Sequence, residues 1–172
     1  RQGRPEFRSP GAVCCRFAHS IFSWKNRFVF LYNVLFIQFI AIYTDESSIM
    51  RIATFNCNSI RVRLPAILSW LDEHSPDILA LQETKVRDEE FPAAELREHG
   101  WHVAFRGEKS YNGVAVISRA EPDEVEFGLG GDEGVSETRL ARIRLGDLHL
   151  INTYVPQGQS LESEKFAFKL QW

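Results

Sequence analysis

Residues 50–85, MRIATFNCNSIRVRLPAILSWLDEHSPDILALQETK, change hydrophobic period twice within 36 residues. Arg51 to Asn56 reads as a strand, and Leu64, Ile67, Leu68 and Leu71 form a stripe at helical spacing that runs to about His74. Pro65 is tolerated in the first turn of that helix. Ser75 and Pro76 then break the chain, and Ile78 to Gln82 is a short continuous apolar run, the pattern of a strand buried on both faces. A strand, a helix and a strand in this order predict an α/β or α+β domain.

Beyond this unit a second helix is expected over Pro92 to Glu98, ending at Gly100, and the remainder is strand-rich. Strands are predicted at Trp101 to Arg106, Gly113 to Ser118, Arg139 to Leu145 and Leu148 to Tyr154. The last two are joined by a hairpin turn at Gly146 and Asp147. Glu162 to Trp172 has the composition of a helix beginning.

Residues 1–49 differ from the rest of the chain. They hold six basic and three acidic residues, against 14 and 20 from Met50 onward, so the net charge of -3 conceals -6 in the body of the chain. A generally basic surface is excluded, and any nucleic acid must be met by locally placed cations and a metal. The run FVFLYNVLFIQFIAIY, Phe28 to Tyr43, follows Lys25 and Arg27 and precedes Asp45 and Glu46, which is the charge order of a membrane anchor. Its 16 residues, interrupted by Asn33 and Gln38, fall short of the roughly 20 that a spanning helix needs. Met50 is the one methionine, and a well-formed strand starts at once after it, so residues 1–49 are read as an upstream segment foreign to the domain. Cys14 and Cys15 are adjacent and Cys57 stands apart, which fits neither a disulfide framework nor a cysteine metal site and suits a reducing cytoplasm.

Asn56 closes the first strand and Glu83 follows the second; if the strands are neighbours, both emerge at one end of the sheet, where α/β folds place ligand sites. A carboxylate there suits Mg²⁺, which takes one or two protein carboxylates plus waters and phosphate oxygens. By spacing alone Glu83 suits a loop cap equally well, and Tyr154 at a strand end reads as a core or rim aromatic.

Four segments in order, FNCNSIRVR (Phe55 to Arg63), LALQETKV (Leu79 to Val86), YNGVAVIS (Tyr111 to Ser118) and INTYVPQG (Ile151 to Gly158), resemble the endonuclease/exonuclease/phosphatase superfamily, in particular its exodeoxyribonuclease III and abasic-site endonuclease branch. The resemblance covers Met50 to Trp172 and none of residues 1–49. It implies an α/β (α+β) fold, part of a four-layer α/β/β/α sandwich. The implied activity is that of a Mg²⁺-dependent DNA repair nuclease, with Mn²⁺ as a substitute metal. Such an enzyme is a 3′–5′ exodeoxyribonuclease and abasic-site endonuclease acting on duplex DNA at abasic sites or 3′ ends, monomeric, cytoplasmic and without a small organic cofactor. Glu83 resembles the family's metal-binding glutamate, Asn56 the asparagine supporting the metal and water network, and Tyr154 the tyrosine that approaches the scissile phosphate. Asn58 stands where relatives carry a polar or acidic residue beside the metal. Lys85 and Gln157, and with them Arg61 and Arg63, correspond to phosphate contacts, which position DNA without reading its sequence. Tyr111 and Asn112, just before a strand, correspond to groups presented to the DNA backbone; by residue type alone each of these is also an ordinary loop residue. Lys165 and Lys169 recur in the family but read as a wet helix face.

The family's GDxN motif and its closing SDH-like motif are expected beyond Trp172, and Asp147, at a hairpin turn without the asparagine, does not replace them. His74, His99, His102 and His149 show no ligand spacing. Residues 50–172 are therefore expected to be the amino-terminal part of the domain, inactive alone, with the inner face of its sheet left without a partner sheet. Two other readings stand beside this one: another phosphodiesterase or phosphatase of the superfamily, and a non-catalytic module tethered to a membrane by Phe28 to Tyr43.

Overall fold

The computed structural model describes residues 27–31, 38–43, 49–128 and 137–172. Among them, nine strands and three α-helices follow in the order β1 (Arg27–Leu31), β2 (Gln38–Tyr43), β3 (Ile49–Asn56), α1 (Ile60–His74), β4 (Ile78–Gln82), α2 (Ala93–Glu98), β5 (His102–Glu108), β6 (Tyr111–Ser118), β7 (Glu124–Phe127), β8 (Leu140–Leu145), β9 (Leu148–Thr153) and α3 (Glu164–Gln171). The strands form a five-stranded sheet, β2-β3-β4-β6-β5, and a four-stranded sheet, β1-β9-β8-β7. β3 and β4 run parallel, with Asn56 paired to Gln82, so the two strands end level and Glu83 emerges beside Asn56.

Alternation along the strands builds two cores. Ala53, Leu79, Leu81, Ala115 and Ile117 face the helices and meet Ile60, Leu64, Ile67 and Leu71 of α1 and Leu96 of α2. Ile52, Ile78, Ala80, Val114 and Val116 point the other way, against Ala141, Ile143, Leu148 and Leu150 of the four-stranded sheet. The described residues thus supply three layers of the expected four: helices, sheet and sheet. The inner face of the five-stranded sheet does have a partner, contrary to the expectation of an uncovered half-sandwich. β8 and β9 fold back over it because both alternate apolar with polar residues and carry the apolar set on one side.

β4 coincides with its predicted span and is buried at every position. α1 begins a turn earlier than its apolar stripe, because the backbone amides of Ser59 and Ile60 find acceptors in the carbonyls of Glu83 and Thr84, at 2.8 and 3.0 Å. It ends at Ser75 in the left-handed conformation, with Arg51 donating to the carbonyls of His74 and Ser75 at 3.0 and 2.6 Å. Leu71 is fully buried in the core between α1 and the five-stranded sheet. Leu71→Ala is expected to cost about 2–5 kcal/mol, read as a lower urea midpoint with an unchanged slope.

β7 has no counterpart among the predicted strands: EVEF reads as an acidic loop, yet Glu124 and Glu126 lie opposite Arg144 and Arg142 and pair with them at 2.8 and 3.2 Å. Its stability as a strand comes from the arginines of its neighbour. The segment set apart by composition contributes edge strands, β1 parallel to β9 and β2 antiparallel to β3. Cys14, Cys15 and the rest of residues 1–26 lie outside the described residues. No helix among the described residues is long and apolar enough to cross a membrane.

Candidate active site

Three loops meet at the ends of β3 and β4 and the start of β6, joined by main-chain bonds. Cys57 N–H donates to the carbonyl of Gln82 at 2.9 Å, and Lys85 N–H to that of Asn112 at 3.0 Å. Asn58, Ser59, Glu83, Lys85 and Asn112, none of them glycine, have φ of 44, 104, 55, 55 and 46°. Each such residue costs of order 1–3 kcal/mol and persists only where its surroundings enforce it, a pattern concentrated at functional sites. Gly113, at φ 90°, is required for a second reason: a Cβ there would lie 2.0 Å from Thr84 Oγ1.

The side chains converge on Glu83. Asn56 Nδ2 donates to Glu83 Oε1 at 2.7 Å, and Lys85 Nζ lies 2.9 Å from Oε2 while also donating to Asn58 Oδ1. Asn56 Oδ1 in turn accepts from Asn58 N–H at 3.2 Å. The Tyr154 hydroxyl stands beside Glu83 and is electrostatically coupled to it. Burial by itself would raise the Glu83 pKa; the bonds from Asn56 and Lys85, the lysine charge and the nearby tyrosine hydroxyl outweigh it and hold the carboxyl below its ordinary value. The same carboxylate, added to burial, pushes the Tyr154 phenol up, so the hydroxyl stays a donor at neutral pH. Cys57, beside them, is buried, which drives its thiol up to about 12 and leaves it inert.

A pH dependence arises from Glu83. Because its folded pKa is depressed, its network stabilises the fold fully above the unfolded value near 4.5, and that contribution is lost as pH falls through the lower folded value. Melting temperatures of the chain and of Glu83→Gln are therefore expected to differ most above pH about 4.5 and to converge in acid; a gap independent of pH contradicts this.

Asn56, Asn58, Glu83, Lys85 and Tyr154 are thus brought together. Arg63 and Gln157 line a cleft of about 630 Å³ with Asn56, Asn58 and Glu83, floored by Phe55, Ile67 and Trp70. Arg61 is turned outward and pairs with Glu90 at 3.3 Å. Tyr111 and Asn112 are the first two residues of β6 rather than a preceding loop, since the hairpin continues to Glu108 opposite Tyr111. Tyr111 is 71% exposed, and Asn112 bonds to Glu108. Lys165 and Lys169 lie on α3, which buries no residue.

Two features of the site are not legible in the sequence pattern. Arg139 places its guanidinium 4.8 Å from the Tyr154 ring centre and donates to the Tyr154 carbonyl at 3.3 Å, and Tyr154 N–H donates to the Arg139 carbonyl at 2.8 Å. Only its place opposite the Tyr154 end of the hairpin marks it in sequence. Gln82, Thr54 and Asn152 form a buried polar set behind Glu83; polar residues inside apolar strands are the available signal.

No group of three or more His, Cys, Asp or Glu side chains gathers in ligating range among the described residues. The donor set is one of hard oxygens, the Glu83 carboxylate with the side-chain amides of Asn56 and Asn58. Lys85 Nζ already sits as a cation between Glu83 Oε2 and Asn58 Oδ1. Such a set fits an ion that keeps most of its water, as Mg²⁺ does, and does not fit one needing a full protein cage.

The chain matches the endonuclease/exonuclease/phosphatase family over residues 53–168. Exodeoxyribonuclease III of Haemophilus influenzae is 35% identical over 125 residues, 70% of this chain and 47% of the relative. An exodeoxyribonuclease of Bacillus subtilis is 31% identical over 127 residues, 72% and 49% of the two. Among solved structures, an AP endonuclease from Archaeoglobus fulgidus aligns with a TM-score of 0.69 at 51% identity over 72% of this chain and 48% of that one. A 3′ phosphatase from Neisseria bound to product DNA hairpin aligns with the same TM-score at 43% identity over the same shares. The chain spans about half the length of these relatives. The fold is that of a family of hydrolases, with nucleases among the relatives. The chain belongs to the endonuclease/exonuclease/phosphatase family, and the expected likeness to exodeoxyribonuclease III and the abasic-site endonucleases holds.

Proposed function

We propose that residues 50–172 form the metal-side half of the active site of a Mg²⁺-dependent DNA repair nuclease, a 3′–5′ exodeoxyribonuclease and abasic-site endonuclease. The observation that carries this reading is the ionised Glu83, held by Asn56 and Lys85 with Tyr154 beside it, at the ends of two parallel strands. Glu83 and Asn56 would hold the metal, Mg²⁺ or in its place Mn²⁺, with Asn58 beside them. When bound, the ion polarises a phosphate oxygen as a Lewis acid. Asn56 fixes the rotamer of Glu83, and the protonated Tyr154 hydroxyl donates where charge develops on the phosphate. Lys85, Arg63 and Gln157, with Arg61, Tyr111 and Asn112 further out, meet the backbone of duplex DNA near an abasic site or a 3′ end, local contacts that suit an otherwise acidic chain. The working protein is a cytoplasmic monomer with no small organic cofactor and no membrane attachment, and residues 1–49 take no part in its chemistry.

The test compares two polypeptides on a duplex with one abasic site: the 172 residues alone, and residues 50–172 extended through a carboxy-terminal half bearing GDxN and SDH-like motifs. The extended protein is expected to nick the duplex in Mg²⁺ and to stop in EDTA. The 172 residues alone are expected to leave it intact. Cleavage that survives EDTA refutes the metal, and turnover by the 172 residues refutes the division of the site.

A further inference from the structure

Three buried polar side chains lie in the otherwise apolar contact between the sheets: Gln82 and Asn152, both 0% exposed, and Thr54 at 2%. Gln82 Nε2 donates to Thr54 Oγ1 at 2.8 Å and to Asn152 Oδ1 at 2.7 Å. Asn152 Nδ2 donates to the carbonyls of Leu81 and Ala115, at 2.9 and 3.0 Å, residues paired across β4 and β6. Gln82 Oε1 has no hydrogen-bond partner among the described residues. Burying amides in this way is costly, and an apolar pair of similar size fills the space without that cost. Apolar contact, however, is non-directional and leaves one sheet free to settle at several offsets on another, whereas a hydrogen bond is directional.

The network's members stand beside the site residues on the same strands. Thr54 is two residues before Asn56, Gln82 one before Glu83, and Asn152 two before Tyr154. Asn56 and Glu83 belong to the five-stranded sheet, while Tyr154 follows the last strand of the other, so their meeting depends on how one sheet is seated on the other. We propose that the Gln82–Asn152 amide pair, with Thr54, is a positioning device: it sets the offset between the two sheets that brings the Tyr154 hydroxyl to the Glu83 carboxylate. The proposal rests on the nuclease reading of the site in taking that contact as the functional one.

The test uses the whole chain without DNA or metal, so it succeeds or fails separately from the nuclease reading. Tyrosine rings and leucine and isoleucine methyls are labelled with ¹³C, and the Tyr154 ring signals are identified by their loss in Tyr154→Phe. In the parent, Glu83→Gln is expected to displace those signals, because the hydroxyl lies beside that carboxylate and feels its charge. In Gln82→Met/Asn152→Leu, which removes both amides together, the core methyl signals are expected to stay dispersed while the Tyr154 response to Glu83→Gln is lost. A merely structural network predicts the opposite, a full response in any variant that remains folded, and that result overturns the proposal. Should the double variant fail to fold, Asn152→Ser breaks the span while leaving room for water, and the same loss of response is expected from it; an undiminished response there overturns the proposal equally.

Discussion

On the proposed nuclease reading, Glu83→Gln in the protein extended through a carboxy-terminal half is expected to lower kcat/KM on an abasic duplex by about 10³-fold or more, the loss typical of removing a principal electrostatic element from a site. Glutamine keeps the length of the side chain and an oxygen for one of the contacts that Asn56 and Lys85 make, but it removes the charge that holds Lys85 now and would hold the ion in catalysis. The loss should fall on kcat more than on KM, because the proposed reading gives the DNA backbone contacts to Lys85, Arg63 and Gln157. Tyr154→Phe removes one donor and is expected to cost less, about 10²-fold. In the 172-residue chain, which needs no turnover, the same Glu83→Gln change should abolish Mn²⁺ binding seen by calorimetry. Cleavage within tenfold of the parent by Glu83→Gln, at matched metal, removes Glu83 from the chemistry.

Gly113→Ala is expected to destabilise the fold strongly. At φ 90° a side chain is strained whatever the space around it, and the new Cβ would lie 2.0 Å from Thr84 Oγ1 and 3.3 Å from the Lys85 nitrogen. Left-handed strain of about 1–2 kcal/mol and overpacking of about 1–3 kcal/mol together suggest a loss near 3 kcal/mol. That corresponds to a Tm lower by about 6–12 °C for a domain of this size. Thr84→Ala provides the control. Its hydroxyl is buried without a partner, so the single change should be mild, and in the Gly113→Ala background it should recover the overpacking share while leaving the backbone strain. The Glu83 and Lys85 loop is bonded to residues 112 and 113, so Gly113→Ala should also disturb the site at temperatures where the fold survives. An alanine variant as stable as the parent contradicts the geometry of this junction.

What was legible in the sequence was local. A continuous apolar run placed β4, a helical stripe placed α1, and the ends of β3 and β4 brought Asn56 and Glu83 to one edge, because each of these follows from side-chain periodicity and a single crossover. Lys85 looked like a phosphate contact, and in the fold its first partner is Glu83, two residues away along a left-handed turn that residue type did not signal. β7 was invisible because an acidic stretch becomes a strand only opposite the arginines of β8. The motif order alone carried the likeness to a family of hydrolases. Tertiary structure decided how the two sheets are seated, and with that whether Tyr154 reaches Glu83 and whether Arg139 backs it. The contacts between the sheets join residues 70 or so apart through directional bonds such as that between Gln82 and Asn152. No local pattern encodes them, since an amide in a strand reads the same whether it faces water or spans two sheets.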